Sequence, residues 1–264
     1  MPELAEVEFN RKQWDPALGE RVLRVHLRAD KRIFLGTDGP ALAAGLGKAV
    51  YLASEARGKQ MLFRFSKGTW LAIHLGMTGR LRVEGRDYRP GRHDHLVLFL
   101  ARRSLVFGDP RQFGRVRFHT GRAVPDWWKR LPPPVTGPHF TLAGMTAFLQ
   151  RHRRLPIKAA LLLQEGFPGI GNWMADEILW RTGLHPRNPA GRLRPRELGA
   201  LWRAVRWVSR LALATVGADY TDLPRGWLFH ERWSADGKCP RHRQPLERDQ
   251  IGGRTTAWCA RCQG

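Results

Sequence analysis

The stretch FPGIGNWMADEILWRTGLHP, residues 167–186, decides how the second half of the chain is read. Gly169 and Gly171 make a tight turn and deliver Asn172 as an N-cap, and Gly183 with Pro186 supplies the stop. Just upstream, PIKAALLLQ is a second helical segment, so the whole is a helix, a glycine turn and a helix. Such a turn bares backbone N–H groups at a helix start, where a phosphate is favoured. An ordinary helical hairpin leaves the same spacing, and the spacing alone does not separate the two.

Around that stretch the pattern stays helical, with TLAGMTAFLQRHR before it and RPRELGALWRAVRWVSRLALATVG after it. Ahead of residue 130 it changes. Apart from one N-terminal helix from Glu3 to about Gly19, the chain runs through short alternating stretches: RVLRVHL, AVYLAS, QMLFRF, TWLAIHLG, GRLRVEG, DHLVLFLA, SLVFGD and GRVRFHT. Seven or eight strands punctuated by Gly, Asp and Arg predict an antiparallel sandwich or barrel. RLPPPVTGPHF, residues 130–140, holds four prolines and continues neither a helix nor a central strand. The expected division is therefore 1–131, a proline-rich linker at 132–138, a helical domain at 139–228 and a terminal hairpin at 229–264.

Composition bounds the partners. The 264 residues carry 45 Lys plus Arg against 23 Asp plus Glu, a formal charge of +22. Self-repulsion on that scale is relieved by a polyanion, and nucleic acid is the leading one. Of the 45 cations, 37 are Arg and 8 are Lys, which a GC-rich coding sequence would produce as readily as a need for phosphate forks. No run approaches the roughly 18 apolar residues of a membrane span, since LWRAVRWVSRLALATV is broken by Arg203, Arg206 and Arg210. The acidic N-terminus lacks the basic, then apolar, pattern of a secretion signal, and three cysteines cannot build a disulfide framework. A reducing cytoplasm is the expected compartment.

Those cysteines make a metal site instead. Cys239, His242, Cys259 and Cys262 form two close pairs, each with two residues between its members, separated by a hairpin-length segment. This is the closed tetrahedral N/S set that structural zinc prefers, and four protein ligands leave no open position for chemistry. Between the pairs, QIGGRTT puts Gly252 and Gly253 at a hairpin turn with Arg254 beside its tip. In RHDH, residues 92–95, His93, Asp94 and His95 are consecutive; neighbours entering a strand point to opposite faces and chelate poorly, so this is read as a structural corner.

The opening MPELAEVE admits two readings. Pro2 and the acids after it suit a helix start. With Met1 removed, Pro2 becomes a free secondary amine, and a terminal amine, with an ordinary pKa of roughly 8, is far more often unprotonated than a lysine.

Taken together, PELAEVE, ARGKQML, HLGMTGRL, GDPRQFG, GIGNWMADEILWRTGLHP and GGRTTAWCARCQ resemble, in order and over nearly the whole chain, the Fpg/Nei family of DNA glycosylases. The resemblance implies an α+β multidomain fold. Its parts are an N-terminal two-layer antiparallel β-sandwich with a flanking helix, and a helical helix-two-turn-helix domain with a zinc-finger β-hairpin holding one structural Zn²⁺. It implies a monomeric bifunctional glycosylase/AP lyase acting on double-stranded DNA with oxidised bases or abasic sites, with β/δ-elimination following excision. The alternatives are a Nei-like preference for oxidised pyrimidines, or a non-catalytic zinc-finger protein that binds damaged DNA.

By the same resemblance Pro2 is the nucleophile that forms an iminium at the sugar C1′, and Glu3 supplies acid/base function in ring opening. Glu6 matches another family acid. Lys59 and Arg254 hold phosphates beside the flipped nucleotide and assist catalysis, and Lys158 with Asn172 contacts phosphates from the helix-two-turn-helix. Met77, Arg111 and Phe113 fill the vacated stack, Arg111 facing the orphaned base. The chain departs from the family at Ala5, at Gln112 and at His242, and in a short segment between Val216 and Cys239, where Fpg enzymes fold a loop over 8-oxoguanine.

Overall fold

A computed structural model describes residues 1–264 as two compact units. One unit comprises Met1–Pro2 and Glu6–Leu131; the other comprises Glu3–Ala5 and Pro132–Gly264.

The first unit holds eight strands, one for each alternating stretch: β1 (Arg24–Leu27), β2 (Tyr51–Arg57), β3 (Gln60–Phe65), β4 (Thr69–His74), β5 (Arg80–Gly85), β6 (Asp94–Phe99), β7 (Arg103–Gly108) and β8 (Arg115–Thr120). They form two antiparallel four-stranded sheets, ordered β1-β6-β7-β5 and β2-β3-β4-β8. Alternate residues from both sheets, among them Met61, Phe63, Phe65, Leu71, Ile73, Leu96, Leu98, Leu105 and Phe107, share one core with Trp14 and Tyr51. The opposite faces are covered as well. Leu62, Trp70 and Ala72 pack on Trp128, and Val97, Phe99 and Val106 on Tyr88. Burial on both faces is why β4 and β6 read as nearly continuous apolar runs.

The N-terminal helix is shorter than predicted. α1 spans Leu4–Lys12, and a 3₁₀ turn at Asp15–Ala17 containing Pro16 follows, with Gly19 left-handed at φ +83°. The sequence reading also missed α2 (Gly39–Leu46), whose start is capped by the Asp38 side chain accepting from Ala41 N at 3.0 Å, with Pro40 in its first turn. A short α3 (Asp126–Lys129) closes the unit.

The second unit contains α4 (Leu142–Arg151), α5 (Ile157–Leu161), α6 (Asn172–Thr182), α7 (Pro195–Ala214), α8 (Val216–Asp219) and α9 (Leu228–Glu231), then the hairpin β9 (Glu247–Ile251) and β10 (Arg254–Trp258). α7 buries Leu198, Leu201, Val205, Val208 and Ala212 at helical spacing against a core shared with α4 and α6. Its arginines occupy other faces, and no helix is long and apolar enough to cross a membrane. The hairpin turn is made by Gly252 and Gly253, both at positive φ (+61° and +70°), as a two-residue turn of this hand requires.

Candidate active site and DNA-binding residues

Three residues of the N-terminus fold into the second unit, and Glu3 is the reason. Its carboxylate accepts hydrogen bonds from Gly171 N (2.9 Å), Trp173 N (2.9 Å) and Met174 N (3.1 Å), while Leu4 N donates to Gly169 O at 3.0 Å. The orphan amides at the start of α6 are thereby taken by a carboxylate 168 residues or more away in sequence, where the helix dipole also favours negative charge. This corrects two expectations. Gly171 is the N-cap and Asn172 the first helical residue, and the amides of Gly171, Trp173 and Met174 are occupied by Glu3 instead of standing open to a phosphate. A Cβ at Gly171 would lie 2.3 Å from Glu3 Cδ, so only glycine admits the carboxylate. Pro2, half-buried, is joined to this fixed residue by one peptide bond.

Behind the turn lies a buried ionic hub. Lys158 is fully buried, and its ammonium donates to the Asp176 carboxylate and to Asn172 O at 2.7 Å. The phosphate contact expected of Lys158 meets a buried ammonium here, two of whose three N–H donors are directed to Asp176 and Asn172 O. Burial pulls Lys158 below the ordinary lysine range, and Asp176 opposes that pull. The other Asp176 oxygen accepts from Arg232 Nε (3.0 Å), Arg232 Nη2 (2.6 Å) and Ala257 N (3.3 Å). Asn172 Nδ2 donates to Thr255 O at 2.8 Å. One carboxylate therefore joins α5, α6, the segment after α9, and β10. Neither Asp176 nor Arg232 was singled out from sequence, although Asp176 and its neighbour Glu177, acids flanked by the apolar Trp173–Ala175 and Ile178–Trp180, were a readable signal.

The hairpin tip packs on α5, since a Cβ at Gly252 would meet Ala159 Cβ at 2.9 Å. Arg254 follows the tip, exposed and outside every ion pair. At the base of the hairpin the donor atoms of Cys239, His242, Cys259 and Cys262 all lie within 4.8 Å of one another. Cys239 Sγ is 3.7 Å from Cys262 Sγ, and His242 Nδ1 stands 3.3, 3.8 and 4.0 Å from the sulfurs of Cys262, Cys259 and Cys239. Bond lengths of about 2.0–2.3 Å from a tetrahedral ion imply edges of about 3.5–3.8 Å, so the set fits a metal. Burial, then its two sulfur neighbours, push the Cys262 thiol up to about 12, and a cation among the sulfurs would favour its thiolate. Trp180 Nε1 donates to Cys239 Sγ at 3.4 Å, a second layer of support.

In the first unit, Met77, Arg111 and Phe113 stand on two adjoining loops. Phe113 is 45% exposed and Met77 half-exposed, and neither belongs to the sandwich core. Asp109, fully buried, builds the platform: its carboxylate accepts from Thr78 Oγ1 (2.6 Å), Arg111 N (3.3 Å) and Gly114 N (2.7 Å). The Arg111 guanidinium lies 4.8 Å over the Phe113 ring, and Gln112 between them is left-handed at φ +55°. Gly76, at φ +64°, meets the Phe113 carbonyl so closely that any Cβ would sit 2.3 Å from it. Asp94 and His95 are a structural corner, as expected. Asp94 is bound by Arg82, Tyr88 and Gly91, and His95 Nε2 lies 2.9 Å from Asp109 O.

Gly58 and Lys59 form the two-residue turn between β2 and β3, Gly58 at φ +60°. Beside it on β4, His74 was missed from sequence. Gly76 N donates to His74 Nδ1 at 3.1 Å, and burial, then Lys59, Arg115 and Arg117, hold the imidazole below its ordinary pKa. A neutral ring accepting at Nδ1 carries its proton on Nε2, a donor among three cations.

Comparison with known proteins follows the same division. Residues 1–116 match the formamidopyrimidine-DNA glycosylase N-terminal domain, and residues 131–222 match the formamidopyrimidine-DNA glycosylase H2TH domain. A formamidopyrimidine-DNA glycosylase of Thermus thermophilus is 37% identical over 279 residues, covering 100% of this chain and 99% of that protein. One from Geotalea uraniireducens is 36% identical over 284 residues, covering 100% of both. Among solved structures, MutM in complex with DNA containing carbocyclic 8-oxo-G gives a TM-score of 0.89 at 25% identity over 99% of both chains. Lactococcus lactis Fpg with abasic-site DNA gives 0.89 at 24% over 99% of both, a likeness that bears on the fold alone. The chain belongs to the formamidopyrimidine-DNA glycosylase family.

Proposed function

We propose that this protein is a bifunctional DNA glycosylase and AP lyase of base excision repair, acting on oxidised and ring-opened purines in duplex DNA with Pro2 as its nucleophile. The observation that carries the mechanism is the clamp on Glu3, three backbone donors that hold a carboxylate one residue from Pro2.

With Met1 removed, the Pro2 nitrogen attacks C1′ of the everted nucleotide, the C1′–N bond to the base breaks, and the base leaves with a proton. Being secondary, the amine becomes an iminium with a fixed positive charge, which acidifies the neighbouring C2′–H and drives elimination of the 3′ phosphate, and then of the 5′ phosphate. Glu3 shuttles the proton of sugar-ring opening. Lys59 and Arg254 grip the phosphates flanking the lesion, with Asn172 at the start of α6. Lys158 acts from within, positioning Asn172 through its main-chain oxygen. Met77, Arg111 and Phe113 fill the gap left by the base, Arg111 against the orphaned partner.

The metal of the Cys239, His242, Cys259 and Cys262 set is one structural zinc, which its N/S donors favour over calcium or magnesium. It supplies fold and no chemistry. The working parts are the catalytic sandwich at 1–131, the linker at 132–138, the helix-two-turn-helix domain at 139–228 and the zinc hairpin at 229–264. The protein acts as a monomer in the cytoplasm, at the nucleoid. Only the short segment at residues 220–227 separates α8 from α9, which weighs against 8-oxoguanine and leaves ring-opened purines, oxidised pyrimidines and abasic sites as the substrates to rank.

Borohydride trapping on abasic-site DNA tests the mechanism. Wild type lacking Met1 should leave a covalent adduct, and Pro2→Gly, which has a primary amine, should leave much less. Absence of any wild-type adduct would sink the nucleophile and leave a damaged-DNA binder. A panel of duplexes with single lesions ranks the substrates.

A further inference from the structure

A second basic surface lies at the foot of the two loops that carry Met77 and Phe113. It is a groove of about 560 Å³ in the first unit, lined in part by Thr78, Arg80, Arg82, Arg92, His93 and Pro110. The charges of its floor are paired and fixed. The buried Asp94 carboxylate accepts from Arg82 Nη2 (2.6 Å), Tyr88 Oη (2.6 Å) and Gly91 N (2.7 Å), and Arg82 Nε meets Glu84 at 2.7 Å. Gly108 keeps that floor low, because a Cβ there would come within 2.8 Å of Arg82 Nη1 and 3.0 Å of Asp94 Oδ1.

The rim is different. Arg80 and Arg92 are exposed and belong to no ion pair, so their charges are uncompensated. The β5–β6 connection adds Arg86 and Arg89 against Asp87 alone, and Arg28 braces it by donating to Arg92 O at 2.6 Å. A rigid floor whose own charges are already paired, set under unpaired cations, is suited to a polyanion.

Position identifies which polyanion. Thr78 follows Met77 in sequence and Pro110 precedes Arg111, and the two loops are tied by the bond from Thr78 Oγ1 to Asp109 Oδ1 (2.6 Å). The groove therefore begins where the wedge ends. We propose that it receives the phosphate backbone of the DNA strand opposite the lesion, the strand whose orphaned base faces Arg111. The inference rests on the proposed role of the wedge loops and extends the interface to a strand that the Lys59, Asn172 and Arg254 contacts do not address.

The experiment is a fluorescence-anisotropy titration of a duplex containing a tetrahydrofuran abasic analogue, over a range of salt, with wild type and with Arg80→Ala/Arg92→Ala. Losing two phosphate contacts should lower the slope of log K against log salt by about 2. Both side chains are exposed, so an unchanged thermal midpoint confirms that the variant is folded.

Neutral methylphosphonate linkages then identify the strand. Placed beside the orphaned base in the opposite strand, they should weaken wild type and have little effect on the variant; placed in the lesion strand, they should weaken both. An unchanged salt slope overturns the proposal. So does equal sensitivity of both proteins to opposite-strand linkages, or a variant blind only to lesion-strand ones. Borohydride trapping by wild type is read separately, so a failed nucleophile and a failed groove give different results.

Discussion

Asp109 and Asp176 are both sealed from solvent, and each carboxylate organises residues proposed above to contact DNA, but they draw their partners from different distances along the chain. Asp109 accepts mostly from its own loop, from Arg111 N and Gly114 N, with Thr78 Oγ1 the one distant donor. Asp176 accepts from Lys158, Arg232 and Ala257, residues 18, 56 and 81 positions away. The first builds a loop; the second holds together elements that are remote in sequence. The local carboxylate is held chiefly by neutral amides and a hydroxyl, the remote one by two buried cations. Its loss should therefore cost more.

The largest effect is expected from emptying the Cys239, His242, Cys259 and Cys262 set, whose proposed metal would hold the hairpin that Asp176 grips. Structural zinc contributes about 10–16 kcal/mol of apparent binding energy in small metal-folded domains. Chelation should remove the order of β9 and β10, displace Thr255 and Ala257 from the hub, and lower DNA affinity by roughly a hundredfold or more, followed by circular dichroism and anisotropy. Undiminished DNA affinity after metal removal would show that the hub alone sustains the hairpin.

Next comes the hub itself. Asp176→Ala strands the Lys158 ammonium and the Arg232 guanidinium without their anion, and breaking a buried ionic pair in this way costs about 3–5 kcal/mol. Denaturant unfolding of the second unit measures it. A loss below about 1 kcal/mol would mean that water reaches the site and that the comparison with Asp109 fails.

These two residues also show what could be read in advance. The eight strands of the first unit were legible as short alternating or, for β4 and β6, nearly continuous apolar stretches, because each has at least one face in a core, and the turn at Gly252–Gly253 was legible because two-residue hairpins demand positive φ. The clustering of Cys239, His242, Cys259 and Cys262 was legible because their paired spacing is that of a metal-ligand set. The Glu3 clamp, Lys158 buried behind Asp176, and Arg232 were not. Each depends on contacts made across long sequence separations, and no local periodicity encodes which amide or ammonium a carboxylate will find. Asn172 illustrates the limit, since its type suits an N-cap but a distant glutamate had already taken the amides. α2 was overlooked although Asp38 and Pro40 marked its start locally.

A third test uses pH within the second unit. Glu177, on the same helix as Asp176, has its pKa raised to about 7 by burial, with Arg181 opposing, and accepts from Phe229 N at 3.1 Å. A carboxyl raised in the folded state binds a proton that the unfolded chain has already released between pH about 4.5 and 7. The unfolded state thus holds fewer protons, and stability falls as pH rises through that window, by about 3 kcal/mol in all, then levels off. Glu177→Gln should flatten this slope in urea titrations. A wild-type profile that is flat over the same window would mean that Arg181 fully compensates burial.

The smallest change expected is Asp109→Asn, and it bears most directly on the local half of the comparison. The amide oxygen can still accept from Thr78 Oγ1 and Arg111 N, but the new NH₂ faces Gly114 N–H, a donor against a donor. One lost charge-assisted bond and one unsatisfied amide amount to about 1–3 kcal/mol, confined to the first unit. Because Arg111 and Phe113 are held by this carboxylate rather than by the sandwich core, the cost should appear as disorder of the 109–114 loop and not as a weakened β-sheet. Hydrogen exchange should rise at Arg111 and Gly114 while β6 and β7 stay protected. On duplexes, rates should fall and become less sensitive to the base opposite the lesion if Arg111 is, as proposed, the residue that faces that base. If exchange rises through β6 and β7 as well, Asp109 is a core residue of the sandwich, and the distinction between a loop-building carboxylate and an element-joining one does not hold.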